Sequence, residues 1–232
     1  MSASRDTSGA LQPAPVGAEA EKRAAAEDAA ALVTDGMRVG LGTGSTVAHL
    51  LDVLSERQLD IVCVATSIRT EQAARALGLR VESFTGVDGV DHLDIAIDGA
   101  DQVDPQGWII KGGGAAHTRE KSVAAAADAF IVIVSADKLV PALTPPVPLE
   151  LMEFGLAATL RSLETVTLRD VPRSPDGGVI ADFTGVIDDP VDLAAYLSGV
   201  PGVIEHGLFA PDMTQRVVVA EGTTTRHIVI GG

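Results

Sequence analysis

The stretch IKGGGAAHTREK, residues 110–121, sets three consecutive glycines between Lys111 and a run carrying Arg119, Glu120 and Lys121. Gly112, Gly113 and Gly114 leave the backbone bare, so a ligand can approach it closely. An ammonium at Lys111 can neutralise a developing oxyanion. A carboxylate at Glu120 can take a proton from a carbon acid. A glutamate flanked by arginine and lysine also reads as an ordinary solvated helix face, and that alternative stands beside the catalytic one. The chain has thirteen arginines and only four lysines, Lys22, Lys111, Lys121 and Lys138. Two of the four fall in this stretch, where a compact point donor does what a guanidinium fork does not.

Two further motifs carry chemistry. DGAD places Asp98 at the end of the apolar run LDIAID and Asp101 just beyond it. Neighbouring carboxylates in an apolar setting repel, so at least one has a perturbed pKa. A helix N-cap and a metal site are the alternatives; for a metal, no nearby His or third carboxylate completes the set, because Asp104 falls in the turn DPQG. GLGTGST, residues 40–46, offers bare backbone and the hydroxyls of Thr43, Ser45 and Thr46 ahead of a helix start. Such a loop points N–H groups at an anion, with the helix dipole behind it. The alternative is a plain strand-to-helix turn. No GxxxxGK[ST] is present, and Ser45 stands at the third glycine of a dinucleotide fingerprint. The second strand ends in Thr66 and Ser67 rather than in an acidic residue for a ribose diol, which favours phosphate over NAD.

The elements that must hold these motifs alternate. MRVGLG (37–42), DIVCVAT (60–66), LDIAID (93–98) and AFIVIVS (129–135) are apolar, β-branched runs without polar alternation, as in strands covered on both faces. Helical patterns lie between them: STVAHLLDVLSER, TEQAARALG and HTREKSVAAAADA. The class expected is α/β: a Rossmann-like parallel sheet with helices on both faces, plus a smaller inserted α+β domain. A first helix is expected from about Ala18, closed by Gly36. Beyond the proline-rich TPPVPLE (144–150) the pattern gives a helix over 149–163, strands over 165–170 and 178–183, a helix over 189–199 and a strand over 202–209. The small domain is therefore set at 144–209, within a catalytic domain of 18–143 and 210–232, to whose sheet RVVVAEG (216–222) returns. Ligands of open parallel sheets bind outside the carboxyl ends of the strands, and all three motifs fall there.

Composition bounds the partners. Of 232 residues, 46% are hydrophobic but only 3% aromatic, so the core is built from Ala, Val, Leu and Ile. A net charge of −15 repels nucleic acid and anionic membrane surfaces. No apolar run approaches the roughly 18 residues of a membrane span. Residues 1–17 read as a disordered tail and not a signal peptide. Cys63, alone in the chain, excludes an internal disulfide and reads as a buried structural thiol within IVCVA. The simplest location is the cytoplasm.

GLGTGSTVAHL, TSIRTE, DIAIDGADQVD, KGGGAAHTREK and ADKLV, in this order and spacing, resemble the A-type ribose-5-phosphate isomerases. The likeness runs from about residue 20 to the C-terminus. It implies an aldose–ketose isomerase of the non-oxidative pentose phosphate pathway, acting through a cis-enediolate without metal or organic cofactor. By the resemblance, Glu120 is the base, Lys111 stabilises the enediolate, and Asp98 and Asp101 hold hydroxyls and assist ring opening. Thr43, Gly44, Ser45, Thr46, Gly112, Gly113 and Gly114 line the substrate site, with Lys138 and Lys22 as further cations. The family resemblance also implies a homodimer or homotetramer. Gln102 stands where the family often has Glu, and His117 where an apolar residue is usual. A sugar-phosphate sensor would want a basic helix-turn-helix, which the sequence lacks, and a sugar-phosphate deaminase or lactonase would lack the Asp/Asp/Lys/Glu set.

Overall fold

The structure, a computed structural model, describes residues 16–230. The tail expected over 1–17 lies outside the described residues up to position 15, and 16–17 already belong to the first helix. The chain runs α1 (Val16–Ala30), β1 (Arg38–Leu41), α2 (Ser45–Arg57), β2 (Val62–Ala65), α3 (Ile68–Ala76), β3 (Leu93–Asp98). It continues through β4 (Gln102–Val103), β5 (Ile109–Ile110), α4 (His117–Ala125) and β6 (Ala127–Ser135). Then follow β7 (Val147–Leu151), α5 (Leu156–Leu163), β8 (Val166–Leu168), β9 (Val179–Phe183), α6 (Pro190–Gly199) and β10 (Val203–His206). The chain closes with β11 (Leu208–Phe209), β12 (Arg216–Glu221) and β13 (Thr224–Val229).

The main sheet has the order β13-β12-β6-β3-β1-β2. Its central strands are buried on both sides, and successive residues pack into different cores. Ile95 and Ile97 of β3 join α1 and α2 on one face, whereas Ala96 joins Val123 and Ala124 of α4 on the other. Strand order reverses between β1 and β3, which opens a crevice at their carboxyl ends. The sheet is not wholly parallel: β13 runs antiparallel to β12 along the edge. Gly222, at φ +61, permits the tight reversal.

Three other expectations are corrected. The helix expected over 149–163 is a strand followed by a helix. Residues 147–151 are all buried in the middle of the antiparallel sheet β10-β7-β9-β8, hydrogen-bonded on both edges, and this tertiary pairing overrides helix propensity. Gly36 does not close α1, which ends at Ala30; at φ +85 it turns the chain into β1. The expected strand 202–209 breaks at Gly207, where a Cβ would come within 2.1 Å of the Lys111 carbonyl. Its first half joins the small sheet, and its second pairs with β5, in the order β11-β5-β4. The small unit thus has βαββαβ connectivity. Cys63 is fully buried, and burial pushes its thiol up to about 12.

Candidate active site

Strand β3 ends at Asp98, at the lip of the crevice. Gly42, just past β1, makes room for it: a Cβ there would fall 1.9 Å from the Asp98 carboxyl carbon. Asp98 Oδ1 accepts the N–H groups of Thr43 (3.0 Å) and Gly99 (2.7 Å). Lys111 follows β5 and is fixed by its own N–H, which donates to the Gly207 carbonyl at 2.9 Å. Its ammonium reaches back to lie 2.9 Å from Asp98 Oδ2 and 3.2 Å from Glu120 Oε2, with at most 4% of each side chain exposed. Glu120 projects from the first turn of α4, so it is no solvated surface residue.

The Lys111 ammonium donates a directed hydrogen bond to the Gly99 carbonyl. Towards the two carboxylates it is close but poorly aligned, and Asp98 Oδ2 and Glu120 Oε2 remain buried acceptors without a hydrogen bond. One cation between two buried carboxylates leaves an excess negative charge. Burial pushes Glu120 up to about 8, the Asp98 charge adds to this, and Lys111 only partly opposes it. Burial likewise raises Asp98 against the pull of Lys111. For Lys111, burial alone would favour the neutral amine, yet Asp98 and Glu120 together hold it above the ordinary lysine range. The arrangement therefore offers a fixed cation beside a carboxylate that can hold or release a proton near neutral pH.

A cavity of about 290 Å³ opens above this group. Every residue expected in the substrate site lines it except Asp98, which lies behind Lys111. Thr43, Gly44, Ser45 and Thr46 form one end. Gly44, at φ +141, starts α2 without a side-chain cap, so the first-turn N–H groups stay free for an anion. Lys22 and Lys138 border the same cavity; Lys22 is 2.7 Å from Glu19, and Lys138 is 3.3 Å from Asp137. Gly112, Gly113 and Gly114 form another stretch of the wall, where the Gly113 N–H donates to Asp101 Oδ2 at 2.8 Å. Behind the phosphate-type loop, Thr43 Oγ1 is 2.8 Å from Thr66 Oγ1, and Thr70 Oγ1 donates to the Gly42 carbonyl.

Sequence reasoning missed Gly99 and Ser135, which also line the cavity. Ser135 is the last residue of β6, and the same strand-end rule that singled out DGAD points to it. Gln102 clips a neighbouring loop: its amide donates to the Thr144 carbonyl and accepts the Thr144 N–H, both at 2.8 Å. His117 is fully buried behind the glycine loop, both ring nitrogens without a hydrogen-bond partner. Burial lowers it to about 4, the Lys121 charge adding, so the ring is neutral. Gly112, at φ +108, leaves room for that ring, since a Cβ would meet His117 Nδ1 at 2.8 Å. Among the described residues, one trio brings metal-type ligand atoms within 4.8 Å: His92, Asp94 and Asp128. It sits at the opposite end of β3, roughly 13 Å along the strand from Asp98.

The family model for ribose 5-phosphate isomerase A (phosphoriboisomerase A) matches residues 62–224. Ribose-5-phosphate isomerase A of Bradyrhizobium diazoefficiens is 42% identical over 231 residues, covering 89% of this chain and 94% of that one. The crystal structure of ribose 5-phosphate isomerase A from Neisseria gonorrhoeae superposes with a TM-score of 0.86 at 30% identity, over 93% of this chain and 98% of that one. A D-ribose-5-phosphate isomerase solved in complex with phospho-erythronic acid gives a TM-score of 0.83 at 36% identity, over 91% and 99%.

Proposed function

We infer the chemistry of the pocket from one premise: this chain belongs to the ribose 5-phosphate isomerase A family. It is an aldose–ketose isomerase that interconverts D-ribose 5-phosphate and D-ribulose 5-phosphate. The observation carrying the mechanism is the Lys111 ammonium held between buried Asp98 and Glu120, with Glu120 Oε2 beside it but taking no aligned hydrogen bond.

In the open-chain aldose, Glu120 takes the proton from C2. The C2–H electrons form the C1=C2 bond, and the carbonyl electrons move onto O1, giving a cis-enediolate. The Lys111 ammonium stabilises that charge in a site shielded from water, where a fixed cation acts most strongly. Glu120 then returns the proton to C1, while the O2 hydroxyl gives up its proton as O2 becomes the ketone oxygen and O1 is protonated. Asp101, on the cavity wall, holds the sugar hydroxyls and assists ring opening and this O–H transfer; Asp98, which does not border the cavity, acts on the sugar through the Lys111 ammonium in front of it. The phosphate takes the α2 start at Thr43–Thr46, with Lys22 and Lys138 as counter-charges, and the sugar lies along Gly112–Gly114. A base, a cation and polar partners suffice, so the reading includes no metal or organic cofactor. It extends to the non-oxidative pentose phosphate pathway, a cytoplasmic homodimer or homotetramer, and a small domain over 144–209 inserted in the catalytic one. Support for the phosphate end comes from the relative that holds phospho-erythronic acid, which also carries a phosphate.

The test is conversion of ribose 5-phosphate with EDTA present. Free ribose should have a kcat/KM at least ~10²-fold lower, since several charge-assisted hydrogen bonds are lost. Equal values for the two sugars would overturn the phosphate assignment.

A further inference from the structure

The glycine loop is held from behind by the small domain. Arg169, just past β8, donates Nη1 to the Gly112 carbonyl at 2.8 Å and to the Gly113 carbonyl at 3.3 Å. Its remaining edge is locked: Nε and Nη2 bind Asp182 of β9 bidentately, at 2.7 and 2.6 Å. Both side chains are largely buried, at 17% and 20% exposure, so the fork is shielded from solvent competition. In a trans peptide the carbonyl of one residue and the N–H of the next point in opposite directions. Drawing the Gly112 carbonyl backwards therefore turns the Gly113 N–H forwards, and it does meet Asp101. By the same geometry, drawing back the Gly113 carbonyl turns the Gly114 N–H towards the cavity, where it has no partner among the described residues.

We propose that Arg169 is a positioning residue for the isomerase reaction: its grip on the Gly112 and Gly113 carbonyls sets Asp101 and presents the Gly114 N–H to a sugar oxygen. Arg169 lies behind the loop and touches no substrate. Lysine cannot replace it, because a single ammonium does not span both carbonyls and the Asp182 carboxylate. The inference rests on the isomerase reading, and wild-type turnover of ribose 5-phosphate is the control that separates the two. An inactive wild type would count against that reading; an active wild type with indifferent variants would count against Arg169.

The experiment compares Arg169→Lys with the wild type well below the melting temperature. It follows kcat, inhibition by inorganic phosphate, which reports the α2 end alone, and inhibition by phospho-erythronic acid, which also reaches the sugar end. Misplacing catalytic groups by about 1 Å costs on the order of 10²-fold. We expect kcat to fall roughly 10- to 100-fold and phospho-erythronic acid to bind at least several-fold more weakly, with phosphate inhibition unchanged. A kcat within twofold of wild type would overturn the proposal, as would a parallel loss of phosphate inhibition, which would mark general collapse. If Arg169→Lys does not fold, Asp182→Asn decides. It leaves the arginine but frees its locked edge, so the same split at smaller size supports the proposal and wild-type behaviour refutes it.

Discussion

The pH dependence of turnover follows from the burial of Glu120. A solvent-exposed glutamate would be ionised throughout the neutral range, and kcat/KM would fall only near 4.5. Here burial and the Asp98 charge push the carboxyl up to about 8, while the Lys111 ammonium offsets only part of this. The base acts ionised, so activity rises with pH through that value. About one molecule in ten carries the ionised base at pH 7 and about one in a hundred at pH 6, a tenfold loss per unit on the acid limb. The substrate phosphate, with a second pKa near 6, is a dianion across the upper part of this window, so the slope there belongs to the enzyme. The assay is kcat/KM for ribose 5-phosphate between pH 4 and 9.5, with ribulose 5-phosphate run in reverse as a check. Stability moves the other way. A carboxyl whose folded pKa exceeds its unfolded one binds its proton more tightly when folded, so its contribution is complete below about 4.5 and is lost as pH rises towards 8. A flat profile from pH 6 to 9, with a single limb near 4.5, would refute this assignment of Glu120.

Two substitutions test the packing around that group. Gly42→Ala places a methyl 1.9 Å from the Asp98 carboxyl, so Asp98 must move; kcat should fall by roughly 10²-fold and stability by about 1–3 kcal/mol, read by kinetics and thermal melts. His117→Leu removes two buried ring nitrogens that lack partners, so it should raise stability by about 1–2 kcal/mol with kcat retained; a lowered melting temperature would show that the ring is bonded.

Much of the site was legible because it lies in short motifs tied to strand ends. LDIAID fixes where β3 stops, so its last residue, Asp98, sits at the lip. Glu120 needed more: its identity as a buried residue depends on α4 packing its first turn towards Lys111, and the residue string alone also fits a solvated face. The phosphate-type loop was readable from Gly44 and the hydroxyls, but not the Thr66 and Thr70 side chains that brace it. Arg169 left no local signal, since its partners Gly112 and Asp182 are distant in sequence and meet only through the small sheet. The error over 149–163 has the same origin. The segment LELMEF has helical propensity, and only its two neighbours in space, β9 and β10, make it a strand. β13 escaped because an exposed edge strand carries polar residues such as Thr225 and His227 and shows no buried run.

The central claim, that Glu120 moves the proton between C2 and C1, is tested most directly by Glu120→Gln in deuterated solvent. The substitution keeps size and polarity and removes the proton acceptor. A general base contributes about 10²–10⁴-fold, so kcat should fall by at least ~10² with KM changed far less. Wild-type enzyme should wash solvent deuterium into the carbon beside the sugar carbonyl, and the variant should not. A variant with near-native kcat that still exchanges would contradict the account.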